Sequence, residues 1–207
     1  MRKLIILAAV LMTILMTISL ESCTPSLVVD DTIESTLTAQ EIQDLQFLQE
    51  EEKLARDVYL YALNVHNTDI FGNISESEQR HVEAISGLMN TYGVTSLMLD
   101  EVGVFSNSDL QQLYNNLTAQ VDVSLVEALI VGATIEDLDI YDIDEMIENT
   151  DKTDILEVYE KLTCGSENHL RAYYGKLEVE QVTYEPQYLS EDVFHEILNG
   201  EQGHCGH

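Results

Sequence analysis

The sequence predicts an all-α fold: a four-helix bundle with an extra short helix between its second and third helices and a short C-terminal helix. The first reason is that apolar residues recur every three or four positions along four long segments, which is the period of an amphipathic helix. The second is that the chain has only two prolines, Pro25 and Pro186, so no helix breaker interrupts the long central part. An apolar fraction of 45% is sufficient for a sizeable core.

Residues 1–22 resemble an export signal. Arg2 and Lys3 give it a positive start, and a long apolar run follows. The run ends before Cys23 in a pattern similar to the lipobox of bacterial lipoproteins, although Glu21 departs from the usual small or apolar residue. Lipidation of Cys23 would anchor the protein to a membrane without a spanning helix. A non-lipidated secretory signal (periplasmic or secreted protein) and an uncleaved anchor helix are the alternatives, and all three place the domain outside the cytoplasm.

The helical bundle is expected over residues 38–198, after a tether of small and polar residues at 23–37. Its first helix begins at Thr38, because Thr38 and Glu41 have the spacing of a capping box. We expect this helix to run to about Asn64.

The inner face of the first helix carries a carboxylate. Glu52 falls on the apolar stripe, with Tyr59 two turns later. Glu50 and Glu51 are expected to be solvated neighbours, and Glu51 is the fallback ligand because the stripe is broad. The apolar members of the stripe are Leu45, Leu48, Ala55 and Ala62.

The second helix follows a turn predicted over Leu63–Gly72 and ends near Gly93. Glu78 and His81 lie one turn apart on the same face, and that face is otherwise apolar. A buried carboxylate needs a partner, and a metal ion is one that would satisfy it. The alternative is that Ser75 and Glu78 form a capping box, which would give Glu78 a local role at a helix start. The apolar stripe consists of Ile74, Ile85, Leu88 and Tyr92.

The third bundle helix also carries acidic residues on its inner face. It follows a short helix over 109–120 that Ser108 is expected to cap, and Asp122 or Ser124 caps the bundle helix itself. Glu136 and Asp139 lie on its apolar stripe. One turn earlier is Gly132, where a small residue allows close helix approach. A break is expected within residues 142–151, and the residues expected to face water are Asp137, Asp142 and Asp144.

The fourth bundle helix is predicted over about 153–178, with Thr153 as its cap. Its inner stripe includes Gly165, His169, Ala172 and Lys176. His169 therefore points into the bundle, and Arg171 is expected to pair with a carboxylate there.

The C-terminal part is predicted to be a short helix over 190–198, capped by Ser190, followed by a flexible tail at 199–207. The tail ends in His204-Cys205-Gly206-His207, which is too short to form a closed metal site alone. Cys164 is expected to be a small core residue. A disulfide between Cys164 and Cys205 is permitted by an oxidising compartment.

Together the four bundle helices bring four carboxylates and two imidazoles to their inner faces. Hard oxygen donors with one imidazole per metal suit a two-iron centre, because carboxylates can bridge two cations and neutralise their charge. Two iron ions, or another divalent metal, are the expected cofactor. The predicted metal ligands are Glu52, Glu78, His81, Glu136, Asp139 and His169.

Four segments resemble a bacterial and archaeal family catalogued as domain of unknown function 2202, within the ferritin-like superfamily. The resemblance covers about residues 38–198 and implies a ferritin-like four-helix bundle but no settled activity. Di-iron proteins of the rubrerythrin kind carry a second Glu-x-x-His motif on the fourth helix. Here the fourth helix offers only His169, and the second acidic pair is Glu136 and Asp139. The segments are EEEKLARDVY (50–59), SEQRH (77–81), GATIEDLDI (132–140) and GSENHLRA (165–172).

Two functions follow as hypotheses. The first is an exported di-iron protein acting as an oxidase, a ferroxidase or a peroxide-reacting protein, with Tyr59 as a possible electron or hydrogen-bond donor. The second is a non-catalytic envelope module with a metal-free polar core, which sequesters metal or binds a protein partner. The net charge of −29 excludes nucleic acid, because phosphate recognition needs Lys and Arg. Metal ions and a membrane are the expected partners, and a homodimer is left open.

Overall fold

The computed structural model describes residues 36–205, and these form six helices and no strand. The predicted export signal, Cys23 and nearly all of the tether lie outside this range. No helix within 36–205 combines the length and the apolar character needed to cross a membrane. The all-α bundle, with its extra short helix and its C-terminal helix, is confirmed. The helices are α1 (Ala39–His66), α2 (Asp69–Tyr92), α3 (Ser108–Val121), α4 (Leu125–Ile147), α5 (Thr153–Val179) and α6 (Glu191–Asn199).

The first helical hairpin has a tighter connection than predicted. Only Asn67 and Thr68 separate α1 from α2, and Asn67 adopts a left-handed conformation with φ of 48°. The expected turn over Leu63–Gly72 is therefore too long. Because α2 already begins at Asp69, Ser75 lies inside the helix, and its hydroxyl donates to a carbonyl one turn earlier at 2.8 Å. The capping-box interpretation of Ser75 and Glu78 is wrong.

Two hydrophobic clusters fill the bundle, one toward each end. In the first cluster the N-terminal parts of α1 and α5 meet the C-terminal parts of α2 and α4, which makes both hairpins antiparallel. The second cluster occupies the other end and extends to α3 and α6. Members of the first cluster are Leu45, Leu48, Ile85, Ile143, Ile155 and Tyr159; members of the second are Val58, Tyr59, Phe71, Leu129, Tyr173 and Leu177.

The connection from α2 to α4 is fastened to α1 by a buried ion pair. Lys53 Nζ lies 2.6 Å from Asp57 Oδ2, and both side chains are fully buried. The ammonium also donates to the carbonyls of Glu101 and Val104 at 2.9 and 3.2 Å, and Asp57 accepts the Gly103 N–H at 2.9 Å. These bonds replace the water that both charges lose on burial.

Glu50 is buried by the same connection rather than solvated as expected. Its carboxylate accepts the backbone N–H groups of Ser106 and Asn107 at 2.8 and 3.2 Å, and the Ser106 hydroxyl at 2.9 Å. It therefore holds the segment that leads into α3. The sequence gives no sign of this, because the covering segment lies more than 50 residues further along the chain.

Asp137 on α4 is likewise buried, although the sequence indicates a water-facing residue. It accepts the Tyr184 hydroxyl at 2.8 Å and the N–H groups of Gln187 and Leu189 at 2.5 and 2.8 Å. Asp137 thus anchors the loop between α5 and α6. The helix itself continues to Ile147, so the break expected within 142–151 is confined to its last part.

The inner face of α5 turns away from the predicted stripe toward its C-terminal end. Ala172 and Lys176 are exposed, whereas Leu170 and Tyr173 are buried, because the helical period gradually rotates the core-facing side. Lys152, not Thr153, occupies the cap position. Arg171 lies 3.5 Å from Glu167 and donates to the Ile197 carbonyl at 2.8 Å, so it joins α5 to α6 instead of entering the bundle.

The C-terminal tail folds back on α5. Cys164 and Cys205 form a disulfide, so Cys164 is a half-buried cross-linked residue rather than a free core thiol. Ser190 caps α6 as predicted, with its hydroxyl accepting from Val193 N at 3.3 Å. Gly206 and His207 lie outside the described residues.

Candidate metal centre

A polar layer crosses the bundle between the two hydrophobic clusters. Each of the four long helices contributes to it, and the layer holds all six residues that the sequence analysis selects as ligands. Five of the six are at most 5% exposed, and the side chain of His169 is 12% exposed. The helical stripes therefore bring these groups to one level of the core. The six are Glu52 on α1, Glu78 and His81 on α2, Glu136 and Asp139 on α4, and His169 on α5.

Glu78 lies at the middle of the layer and faces both imidazoles. Its Oε2 is 2.7 Å from His81 Nδ1, and its Oε1 is 2.9 Å from His169 Nδ1. The two rings are stacked, with centroids 5.7 Å apart. One carboxylate on α2 is therefore placed between a histidine of its own helix and a histidine of α5.

A second carboxylate completes each half of the layer. Glu52 Oε2 lies 3.1 Å from His81 Nδ1, and Glu136 Oε2 lies 3.3 Å from His169 Nδ1. In each half the three candidate ligand atoms are all within 4.8 Å of one another. The result is two groups of two carboxylates and one imidazole that share Glu78.

Asp139 is positioned by Ser166 on α5. The Ser166 hydroxyl donates a short hydrogen bond to Asp139 Oδ2, and both side chains are buried. Ser166 stands three residues before His169, where a second Glu-x-x-His motif would carry its glutamate. The acidic group at this level therefore comes from α4, across the helix interface, instead of from α5.

Tyr59 supports the layer from the side of the second hydrophobic cluster. Its hydroxyl donates to Glu136 Oε1 at 2.5 Å, and its ring packs against Tyr173 with centroids 5.4 Å apart. Tyr59 thus orients one of the candidate ligands, and its role as a redox residue stays a prediction. Gly132 leaves room for this pair of rings, because any side chain at that position would overlap the Tyr173 ring.

The electrostatics of the layer couple acids to imidazoles. Burial alone would lower the pKa of His169, but Glu78 and Glu136 outweigh it and raise the pKa to about 10. Burial would also lower the pKa of His81, but the carboxylates of Glu52 and Glu78 outweigh it and raise that pKa well above its ordinary value. Burial would raise the pKa of Glu78, but the two protonated imidazoles outweigh it and hold that pKa below its ordinary value.

The remaining acids of the layer are forced toward protonation. Burial, followed by the charge of Glu136, raises the pKa of Asp139 to about 7. Burial and the charge of Asp139 raise the pKa of Glu52 well above its ordinary value. Burial, followed by the charges of Asp142 and Asp139, does the same for Glu51. More carboxylates are buried here than the two imidazoles can neutralise.

Several oxygens of the layer are buried without a hydrogen-bond partner. They include Oε1 of Glu52 and Oδ1 of Asp139, together with both oxygens of Glu51. Glu51 is therefore buried rather than solvated, although it belongs to neither of the two groups of three. Unpaired buried carboxylate oxygens are costly, and cations would satisfy them. The donor set, oxygen with one imidazole per group, fits two divalent transition-metal ions.

The comparisons with known proteins identify the family. A family model for the uncharacterized protein domain DUF2202 matches residues 41–201. The chain belongs to the DUF2202 family. The matched range contains all six helices except the first two residues of α1, and it includes every residue of the polar layer.

A relative with a solved structure is found in an archaeon. The chain is 45% identical over 164 residues to uncharacterized protein MJ0754 of Methanocaldococcus jannaschii, covering 79% of this chain and 89% of the relative. The crystal structure of hypothetical protein MJ0754 matches with a TM-score of 0.79 and 44% identity, covering 81% of this chain and 96% of that one. The DUF2202 bundle is thus an experimentally observed fold.

Proposed function

We propose that this DUF2202 protein binds two iron ions in its polar layer and works as an exported redox protein. The observation that carries the proposal is the pair of carboxylate–imidazole groups that share Glu78. One group would be Glu52, Glu78 and His81, and the other Glu78, Glu136 and His169. Glu78, whose two oxygens face two different imidazoles, would be the ligand that both groups share.

The other residues of the layer have supporting roles in this proposal. Asp139, held by Ser166, is the further ligand that the missing glutamate on α5 would otherwise supply. Tyr59 orients Glu136 through its hydroxyl and can hold a proton beside that carboxylate. The two hydrophobic clusters exclude water from both ends of the layer, which strengthens every electrostatic interaction inside it.

A pair of iron ions would supply the electron transfer that side chains alone do not provide. The proposed reaction class is oxidation by dioxygen or peroxide, including the oxidation of ferrous iron itself. The four carboxylates of the layer would neutralise the charge of two divalent cations. Lipidation at Cys23, or simple export, would place this chemistry outside the cytoplasm, and that part of the proposal depends only on the sequence.

Metal analysis of the purified protein tests the proposal. We expect about two iron ions per chain after reconstitution with ferrous iron under argon. Replacing both Glu78 and His81 by Ala should abolish binding, because each group loses its shared carboxylate. The matched control is Glu76→Ala, an exposed glutamate on the same helix, which should bind as the parent does. A parent protein that binds no iron and is fully stable without it would contradict the proposal.

A metal-free polar core is the second candidate, and one observation favours it. The layer can form its own ion pairs, since both histidines have pKa values raised by the carboxylates that face them. In that case the chain would be an envelope module without a redox site. Under this candidate Glu78→Gln would lower the free energy of unfolding with no metal involved, and added iron would not change the unfolding temperature of the parent.

A further inference from the structure

A cavity of about 520 Å³ lies against α5 directly outside the polar layer. One wall is α5, with Gly165, Asn168, His169 and Ala172. Ser77 of α2 and the tail residues 202–205 form the rest. The cavity is lined by residues from three separate parts of the chain, so it exists only when the tail is folded back.

Both imidazoles of the layer lie immediately behind this cavity. His169 lines it, and with a side chain 12% exposed it is more accessible than Glu52, Glu78, His81 or Glu136, none of which exceeds 3%. Gly165 also lines it, and a Cβ there would lie 2.7 Å from His81 Nε2. That nitrogen is buried without a partner. Only a glycine backbone therefore separates the cavity from the second imidazole.

The tail is fixed in place as the outer wall. Asn168 Nδ2 donates to the Gly203 carbonyl at 3.0 Å, and the Gly203 N–H donates back to Asn168 Oδ1 at 3.0 Å. The disulfide from Cys164 to Cys205 fastens the next turn of chain to the same helix. These attachments hold residues 202–205 against α5 as one wall of the cavity.

The lining has the chemistry of a site for a small uncharged molecule. It consists of a hydroxyl, two amides, imidazoles and small apolar groups, with no carboxylate, lysine or arginine. A chain with a net charge of −29 repels anions from its surface. A small uncharged molecule meets no such repulsion.

We propose that this cavity is the port through which a small uncharged oxidant, dioxygen or hydrogen peroxide, reaches the polar layer beside His169, and that the disulfide-fastened tail is its outer wall. This inference rests on the proposed di-iron function. It adds the place at which the oxidant named there would enter the bundle.

Filling the cavity tests the port. Nitric oxide is a small uncharged ligand of ferrous iron, and its binding under argon is followed by stopped-flow absorbance. In the iron-loaded protein Ala172→Trp should slow this binding roughly tenfold, because it fills the cavity without replacing a ligand. The matched control is Ala119→Trp, at an exposed position on α3, which should bind at the parent rate. An unchanged rate in Ala172→Trp, with iron content equal to that of the parent, overturns the proposal.

Releasing the tail tests its role as the wall. The double variant Cys164→Ser, Cys205→Ser should bind nitric oxide several-fold faster than the parent, and Ala172→Trp in that background should lose part of its effect. A parent-like rate in the double variant, with an unchanged helical circular dichroism spectrum, would remove the tail from the proposal.

A measurement on the metal-free protein separates failure of the port from failure of the metal site. A neutral soluble nitroxide broadens the ring proton signals of accessible histidines in NMR spectra. Broadening of the His169 signal should fall in Ala172→Trp and rise in the double cysteine variant, while exposed His195 stays constant as the internal reference. If the parent binds no iron but these changes occur, the proposed function fails and the opening above His169 stands. If the broadening of the His169 signal does not change in these variants, the proposed port is wrong even if the protein binds iron.

Discussion

Three consecutive glutamates on α1 show how little a residue type says about its environment. Glu50 binds backbone N–H groups of the connection before α3, Glu51 is buried beside Asp142 and Asp139, and Glu52 faces His81. The helical stripe identifies Glu52 correctly, because its apolar neighbours recur on the same face. It cannot identify the other two, because their burial depends on segments that are remote in the sequence.

Gly165 is the residue whose substitution should separate metal binding from helix stability. Gly165→Ala should improve helix propensity by about 1 kcal/mol, yet its Cβ would lie 2.7 Å from His81 Nε2 and displace the ring. We therefore expect weaker iron binding, measured by metal content after dialysis. Gly175→Ala on the same helix is the control, since a Cβ there meets nothing within 4 Å. It should raise the unfolding temperature and leave iron content unchanged. Parent-like iron binding by Gly165→Ala would disprove this arrangement of His81.

Ser166 should matter chiefly through Asp139, since its other contact is to the Leu162 carbonyl of its own helix at 3.1 Å. Ser166→Ala leaves a buried carboxylate oxygen without its donor, so the free energy of unfolding of the metal-free protein should fall by about 1–3 kcal/mol. A double-mutant cycle with Asp139→Asn measures the coupling between the two side chains by denaturant unfolding. If the two effects simply add, Ser166 does not position Asp139.

At the scale of the helices, three of the caps expected from the sequence are observed, whereas α3 is capped by Asn107, one residue before the expected Ser108. Thr38 forms the expected capping box with Glu41, and Ser124 and Ser190 cap α4 and α6. The start of α2 is missed because Thr68 makes no side-chain cap, and α5 likewise begins after an uncapped Lys152. These helices are fixed by the apolar face that they bury, so local signals cannot mark their first residues.

The connection across the bundle should depend on Lys53. Lys53→Met removes the ammonium that Asp57 and two carbonyls share, and it leaves a buried carboxylate with fewer partners. We expect the free energy of unfolding to fall by about 3 kcal/mol. Lys176→Met on exposed α5 surface is the control and should stay within about 0.5 kcal/mol of the parent. Denaturant titration compares the two, and equal stabilities would mean that the ion pair does not hold the connection.

At the scale of the whole molecule, the polar layer was predictable and its covering was not. Stripes on four helices converge in any bundle of this kind, so the level of Glu52, Glu78, Glu136 and His169 follows from periodicity. The tail carries no periodic signal, and residues 199–207 read as a flexible end. Its position comes from the disulfide to Cys164 and from hydrogen bonds to Asn168. Both contacts join residues that are far apart in the sequence, so no local pattern indicates them.

The disulfide should therefore raise the free energy of unfolding of the whole chain. Cys164 and Cys205 are 41 residues apart, and closing a loop of that size restricts the unfolded chain enough to contribute about 2–4 kcal/mol. Dithiothreitol should lower the unfolding temperature of the parent and leave the Cys164→Ser, Cys205→Ser variant unchanged. The variant without reductant should match the reduced parent, because the same constraint is lost in both. An unfolding temperature of the parent that does not respond to reductant, while peptide mapping finds both thiols free, would show that the tail is held by its hydrogen bonds alone.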